Sequence, residues 1–143
     1  MKKKYLIVIA DYYKDISKGL LDSALKKIPI SNSIKIINVP GVFEIPITIS
    51  KNIKKYDAFL ALGCVIKGET PHFDFISSAS TNAIMDLSIS YKKPIGNGII
   101  TCLNMRQAKA RKKKGAEATG AVISILSQKW ERTLTQKIIL ELS

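Results

Sequence analysis

Ala58-Phe59-Leu60-Ala61-Leu62-Gly63-Cys64-Val65 runs without a single charged side chain. A strand with one wet face alternates apolar and polar residues. An unbroken apolar run of this length therefore marks a strand covered on both faces, the situation of a parallel sheet. Parallel neighbours need long crossovers, and the flanking sequence supplies them. Lys4–Ala10 and Ser33–Val39 before the run, and Pro94–Thr101 after it, are further strand-like stretches. Between the first two, Ile16–Ile28 places Ile16, Leu20, Leu21, Ala24, Leu25 and Ile28 at helical spacing. Phe43–Lys54 reads as a second helix, with Pro46 tolerated in its first turn, where an N–H has no partner to lose. His72–Ser90 reads as a third, Met105–Arg111 as a short fourth and Gly115–Arg132 as a long fifth, while the form of the apolar tail Gln136–Ser143 stays open. The alternation predicts right-handed crossovers and an α/β fold: one domain over residues 1–143, with a four-stranded parallel sheet and helices on both faces.

Composition agrees with a compact domain. A chain of 143 residues with 46% hydrophobic side chains is not disordered, and at this length folding buries roughly 70% of the unfolded surface. The apolar share is generous for so small a monomer and points to a partner covering part of the surface. The net charge of +12 is carried mostly by Lys. The lysines fall in short groups such as Lys2-Lys3-Lys4, Lys54-Lys55 and Lys92-Lys93, mostly at element ends, and Arg is scarce. That dispersal favours a solvated surface over specific nucleic-acid recognition. Cys64 and Cys102 both lie in apolar, strand-like surroundings and read as buried free thiols. One histidine and no acidic cluster make no metal site. No apolar run reaches the roughly 18 residues of a membrane span. Asp11 and Asp15 follow the basic N-terminus closely, and no small-residue cleavage site is visible, so a cytoplasmic protein with no membrane partner is expected.

In open parallel sheets ligands bind beyond the carboxyl ends of the strands, so the loops after Ala10, Val39, Val65 and Thr101 matter most. The first presents Tyr12-Tyr13 beside Asp11; two aromatics in a turn suit either stacking on a flat heterocycle or ordinary packing. The second reads Pro40-Gly41-Val42-Phe43-Glu44 and opens a helix, with Glu44 placed to accept ligand hydroxyls or to complement the helix dipole. The third, Lys67-Gly68-Glu69-Thr70-Pro71-His72, combines a flexible glycine, a hydroxyl and helix-entering amides that suit an anion. His72 is the chain's one histidine, placed at a helix start that suits an uncharged ring acting as a proton shuttle. After the fourth strand, where Gly98 permits close ligand approach, Arg111 offers a planar fork for phosphate or is one more cation in a basic stretch.

Taken together, these stretches resemble the lumazine synthases. Val39-Pro40-Gly41-Val42-Phe43-Glu44-Ile45-Pro46 is similar to the VPGAFE-P segment of that family, and Leu62–Asp74 to its LG-VI-G-T-H-D segment. Pro94–Gly98, Gln107-Ala108 and Lys114–Ala118 follow in the family's order. The resemblance implies a flavodoxin-like three-layer sandwich. It implies a transferase of riboflavin biosynthesis that condenses 5-amino-6-(D-ribitylamino)uracil with 3,4-dihydroxy-2-butanone 4-phosphate to 6,7-dimethyl-8-ribityllumazine, using no cofactor. It places Tyr12 against the pyrimidine, and Val42, Phe43, Glu44, Cys64, Val65 and Ile66 around the pyrimidine and its ribityl chain. Glu69, Thr70 and Arg111 fall to the ketose phosphate and His72 to proton donation. Asn97 stands where many members carry Phe, in the pyrimidine wall. Only three residues separate Arg111 from Gly115, a shorter link than in many relatives, which leaves Arg106 as a competitor for the phosphate. The family also implies a homopentamer with sites between subunits, free or built into a sixty-subunit shell. With three residues ahead of the first strand, the free pentamer is expected.

Three other readings share the architecture. The archaeal-type riboflavin synthase, a paralogue, is disfavoured by the motif around His72. A non-catalytic flavodoxin-like or receiver-like binding module is disfavoured because a receiver clusters Asp residues after its first strand, where only Asp11 stands. A basic nucleic-acid-binding module is disfavoured by the dispersal of the lysines.

Overall fold

The computed structural model describes residues 2–128 and 140–142. Four strands, β1 (Lys4–Ala10), β2 (Ser33–Val39), β3 (Ala58–Ile66) and β4 (Ile95–Cys102), form one sheet in the order β2-β1-β3-β4, parallel throughout. The helices are α1 (Lys14–Lys27), α2 (Ile45–Asn52), α3 (His72–Tyr91), α4 (Met105–Ala110) and α5 (Lys114–Leu126). The α/β reading and the three-layer arrangement hold. β3, whose apolar run predicted a doubly covered strand, is buried from Ala58 to Cys64.

Alternation along β1 and β3 divides the core into two layers. On one face Tyr5, Ile7, Ile9, Leu60 and Leu62 meet Leu20 and Ala24 of α1 and Ala118 and Val122 of α5. On the other Leu6, Val8, Phe59 and Ala61 meet Ile45 and Ile49 of α2 and Ile84 of α3. Each fully buried aliphatic side chain is worth about 1.5–3 kcal/mol, so these layers dominate the stability.

Small differences from the sequence expectation have local causes. The helix expected from Phe43 starts as a 3₁₀ turn, Val42–Glu44, before α2. Pro46 has no N–H to give the Val42 carbonyl, which takes the Ile45 amide instead. The last helix stops at Leu126, where the Ser127 and Gln128 amides close on Ile123 and Ile125. Residues 129–132, which the sequence pattern also assigns to that helix, lie outside the described residues. So does most of the tail, of which residues 140–142 are helical. Among the described residues no helix is long and apolar enough to cross a membrane.

The strand order reverses direction between β1 and β3: the chain leaves β1 for one face, through α1, and β3 for the other, through α3. Diverging loops open a crevice at this switch point, and the carboxyl ends of β1 and β3 flank it.

Candidate active site

The end of β1 is held before the loop begins. Ser17 Oγ donates to the Ala10 carbonyl (2.7 Å), and the Asp11 amide donates to Val39 (3.4 Å), which ties the β1 and β2 exits together. The next two residues divide the work. Tyr13 packs partly into the core, where burial first and Cys64 second push its phenol above its ordinary range. Tyr12 stands edge-on to it, ring centroids 4.9 Å apart, and is 75% exposed, so its ring is free to meet a flat partner.

The β2 exit brings the 3₁₀ turn over the end of β3. Gly63 makes this approach possible, since a Cβ there would collide with Val42 Cγ2. Val42 is thereby buried, Phe43 projects with 62% of its surface exposed, and Glu44 lies beside Gly41. Cys64, Val65 and Ile66 supply the floor. The Cys64 thiol is pushed up to about 12, by burial first and by neighbouring Cys102 second. It is a neutral apolar surface, not a nucleophile.

These residues enclose one hollow of about 720 Å³, lined by Tyr12, Tyr13, Gly41, Val42, Phe43, Glu44, Cys64, Val65, Ile66, His72 and Ile76. The size and apolar, aromatic walls suit a small heterocyclic ligand, with Glu44 and His72 as the polar groups that orient it. Eight of the twelve residues singled out from sequence meet here. Glu69 and Thr70 do not line it: they stand on the exposed loop entering α3, where Thr70 Oγ1 accepts the His72 amide at 3.4 Å.

Asn97 and Arg111 lie elsewhere. They line a second hollow, about 950 Å³, along the open edge of β4, with Thr101, Lys113, Lys114 and Glu117. Arg111 Nη1 donates to the Thr101 carbonyl (3.4 Å), so its guanidinium is directed along that edge. Arg106 is not among the lining residues. Gly98 serves packing instead of ligand approach, because a Cβ would strike Leu62 and crowd Ala118 of α5. Tyr13, Ile76, Lys113 and Lys114 were not singled out individually from sequence. Ile76 is four residues from His72 and so shares its helix face, a spacing that identifies it. Among the described residues no three His, Cys, Asp or Glu side chains stand together as a metal site would need.

Comparison with known proteins gives a consistent result. Residues 2–129 match the sequence model of the family described as 6,7-dimethyl-8-ribityllumazine synthase. A protein of Rhodopseudomonas palustris named 6,7-dimethyl-8-ribityllumazine synthase 1 is 41% identical over 136 residues, covering 86% of this chain and 83% of its own. The synthase of Agrobacterium fabrum is 39% identical over 143 residues, covering 90% and 97%. That of Bartonella bacilliformis is 45% identical over 120 residues, covering 80% and 79%. With the motif residues gathered at the switch point of a parallel sheet, and a match spanning nearly all of its length, this chain belongs to the 6,7-dimethyl-8-ribityllumazine synthase family.

Proposed function

We propose that this enzyme joins 5-amino-6-(D-ribitylamino)uracil to 3,4-dihydroxy-2-butanone 4-phosphate in the cytoplasm, forming 6,7-dimethyl-8-ribityllumazine. The observation that carries the reading is the convergence of Tyr12, Phe43, Glu44, Cys64–Ile66 and His72 on one hollow at the β1–β3 crevice. Tyr12 and Phe43 hold the pyrimidine, and Glu44 takes hydroxyls of the ribityl chain. The ring amine attacks the ketone to give a carbinolamine, and loss of water gives an imine. Phosphate is then eliminated with a proton from the adjacent carbon, and the resulting enol tautomerises to a ketone. Attack of the ribityl-bearing nitrogen on that ketone, with loss of a second water, closes the ring. His72 moves protons in these steps, and the protein's main contribution is to hold the two substrates in register. No cofactor takes part.

The ketose phosphate belongs near Glu69 and Thr70, with Arg111 as its charged anchor and Asn97 as the far wall of the pyrimidine pocket. Arg111 and Asn97 line a different hollow from the pyrimidine residues on the same chain. That separation favours a homopentamer in which one subunit's first hollow faces the second hollow of its neighbour. The assay mixes purified protein with both substrates and follows lumazine absorbance and fluorescence. Product should form at a rate far above the uncatalysed mixture. No acceleration would overturn the reading, and riboflavin made from lumazine alone would replace it with the riboflavin synthase activity.

A further inference from the structure

The parallel topology has an effect on charge that the linear sequence conceals. Every strand of a parallel sheet starts at the same edge, so lysines placed before or early in different strands are brought together. Lys2 and Lys4 at β1, Lys35 in β2, Lys54 and Lys55 before β3 and Lys93 before β4 line two adjoining hollows of about 540 and 580 Å³. Against these six cations stands one carboxylate, Asp57, whose Oδ2 accepts the Lys4 backbone amide at 2.8 Å. Neither of the ion pairs found among the described residues, Lys18–Asp22 and Lys114–Glu117, involves this edge. Lys93 is fixed in place by its bond to the Ile53 carbonyl (2.7 Å). Five of the chain's twelve net positive charges therefore sit on one face.

We propose that this amino-terminal edge of the sheet is a docking surface for single-stranded nucleic acid, held through its phosphates without regard to sequence. Charge complementarity selects a polyanion. Tyr56 narrows the class further: it lines both hollows, half-buried and braced edge-on by Phe59 (centroids 6.1 Å apart), as an aromatic among lysines on which a base can stack. The absence of Arg from the lining fits recognition without base reading. The surface lies at the opposite end of β3 from the candidate active site, about 25 Å away at 3.3 Å per residue.

The test is fluorescence anisotropy of the full-length protein with short labelled oligouridylate and oligoadenylate over a salt series. Wild type should bind both with similar affinity, with a log–log salt slope of about −3.5 if five phosphates are neutralised. Lys54→Ala/Lys55→Ala should weaken binding and make the slope shallower by about 1.4, or 0.7 for each lysine lost. Lys14→Ala/Lys109→Ala, which removes the same charge at the other end of the sheet, should change neither. Unchanged native mass and circular dichroism verify folding, and Lys35→Ala gives an independent second variant with a smaller effect in the same direction. Equal losses in the two double variants would show diffuse attraction to net charge and overturn the proposal. Absence of binding at low salt would also overturn it, as would preference for phosphatidylserine vesicles over the oligonucleotides.

Discussion

Arg111 lines the hollow along β4 and Arg106 does not, which separates two arginines that sequence left in competition. A guanidinium fork holds phosphate in a fixed geometry that Lys does not reproduce. Losing a desolvated contact of that kind costs about 2–5 kcal/mol. Proton transfer by a positioned side chain, the role proposed for His72, is typically worth about 10²–10⁴-fold, and buffer or substrate phosphate substitutes for part of it. Steady-state kinetics should therefore find Arg111→Ala nearly inactive and His72→Ala slow but measurable. A wild-type Arg111→Ala alongside a dead Arg106→Ala would reverse the assignment. Cys64 supports a second expectation. Its folded thiol titrates near 12 against an ordinary 9.0, so the native state keeps a proton that the unfolded chain gives up. This stabilisation is complete below about pH 9 and lost as pH rises through about 12. Tyr5 and Tyr13, whose phenols are also raised, act in the same direction. Denaturant midpoints should fall across that alkaline range, less steeply in Cys64→Ala, and a thiol reagent at neutral pH should react slowly until the chain unfolds. Most of the candidate site residues were legible because they stand at or just beyond the carboxyl end of a strand. Their division between two hollows was not, since loop order carries no information about which side of a sheet edge a side chain reaches.

The turn that carries Arg111 is fixed by the seam between α1 and α5. Gly115 lets the helices touch, as a Cβ there would run into the Leu20 carbonyl and the Ser23 hydroxyl. Ser23 Oγ lies within donating distance of the Lys112 carbonyl (2.9 Å) and the Leu20 carbonyl (3.0 Å) and accepts the Ala116 amide (3.0 Å). It thus ties the middle of the link between α4 and α5, at Lys112, to the first turn of α5, at Ala116. Ser23→Ala should cost about 1–2 kcal/mol of stability. It should also raise KM for the ketose phosphate more than it lowers kcat at saturation, whereas a purely structural loss would show only in the melting temperature. Helical spacing and the Pro46 position made the elements themselves readable to within a few residues. The seam was invisible beforehand because Gly19, Ser23, Gly115 and Thr119 carry no hydrophobic signal. Small residues matter there for the backbone contact they permit, and Gly98 was misread for the same reason.

Across the whole molecule, α3 wears part of its apolar surface outward. Phe75 (68%), Met85 (56%) and Ile89 (67%) are exposed, while Ser77 and Ser80 have buried hydroxyls with no hydrogen-bond partner among the described residues. Phe43 and Ile47 add to the exposed apolar surface of this molecule, and β2 shows Ile34 and Ile36. Isolated apolar residues on a surface need no explanation, but several on one helix with polar groups beneath them fit a face covered by other copies. The generous hydrophobic composition points the same way; which helix carries the exposed residues could be known only once burial was assigned. Native mass spectrometry should give about five times the 15.8 kDa chain. A monomeric mass at micromolar concentration would rule out a shared site.

If each site takes Tyr12 and His72 from one chain and Arg111 from the next, the unit of heredity and the unit of activity no longer coincide. Two defective alleles, one lacking His72 and the other Arg111, would make a slow enzyme and a nearly inactive one. Expressed together in one cell, they would build mixed rings in which about a quarter of the junctions receive an intact half from each parent, as random placement in a head-to-tail ring requires. A cross between two strains that each make riboflavin poorly would then yield offspring that make it faster than either parent.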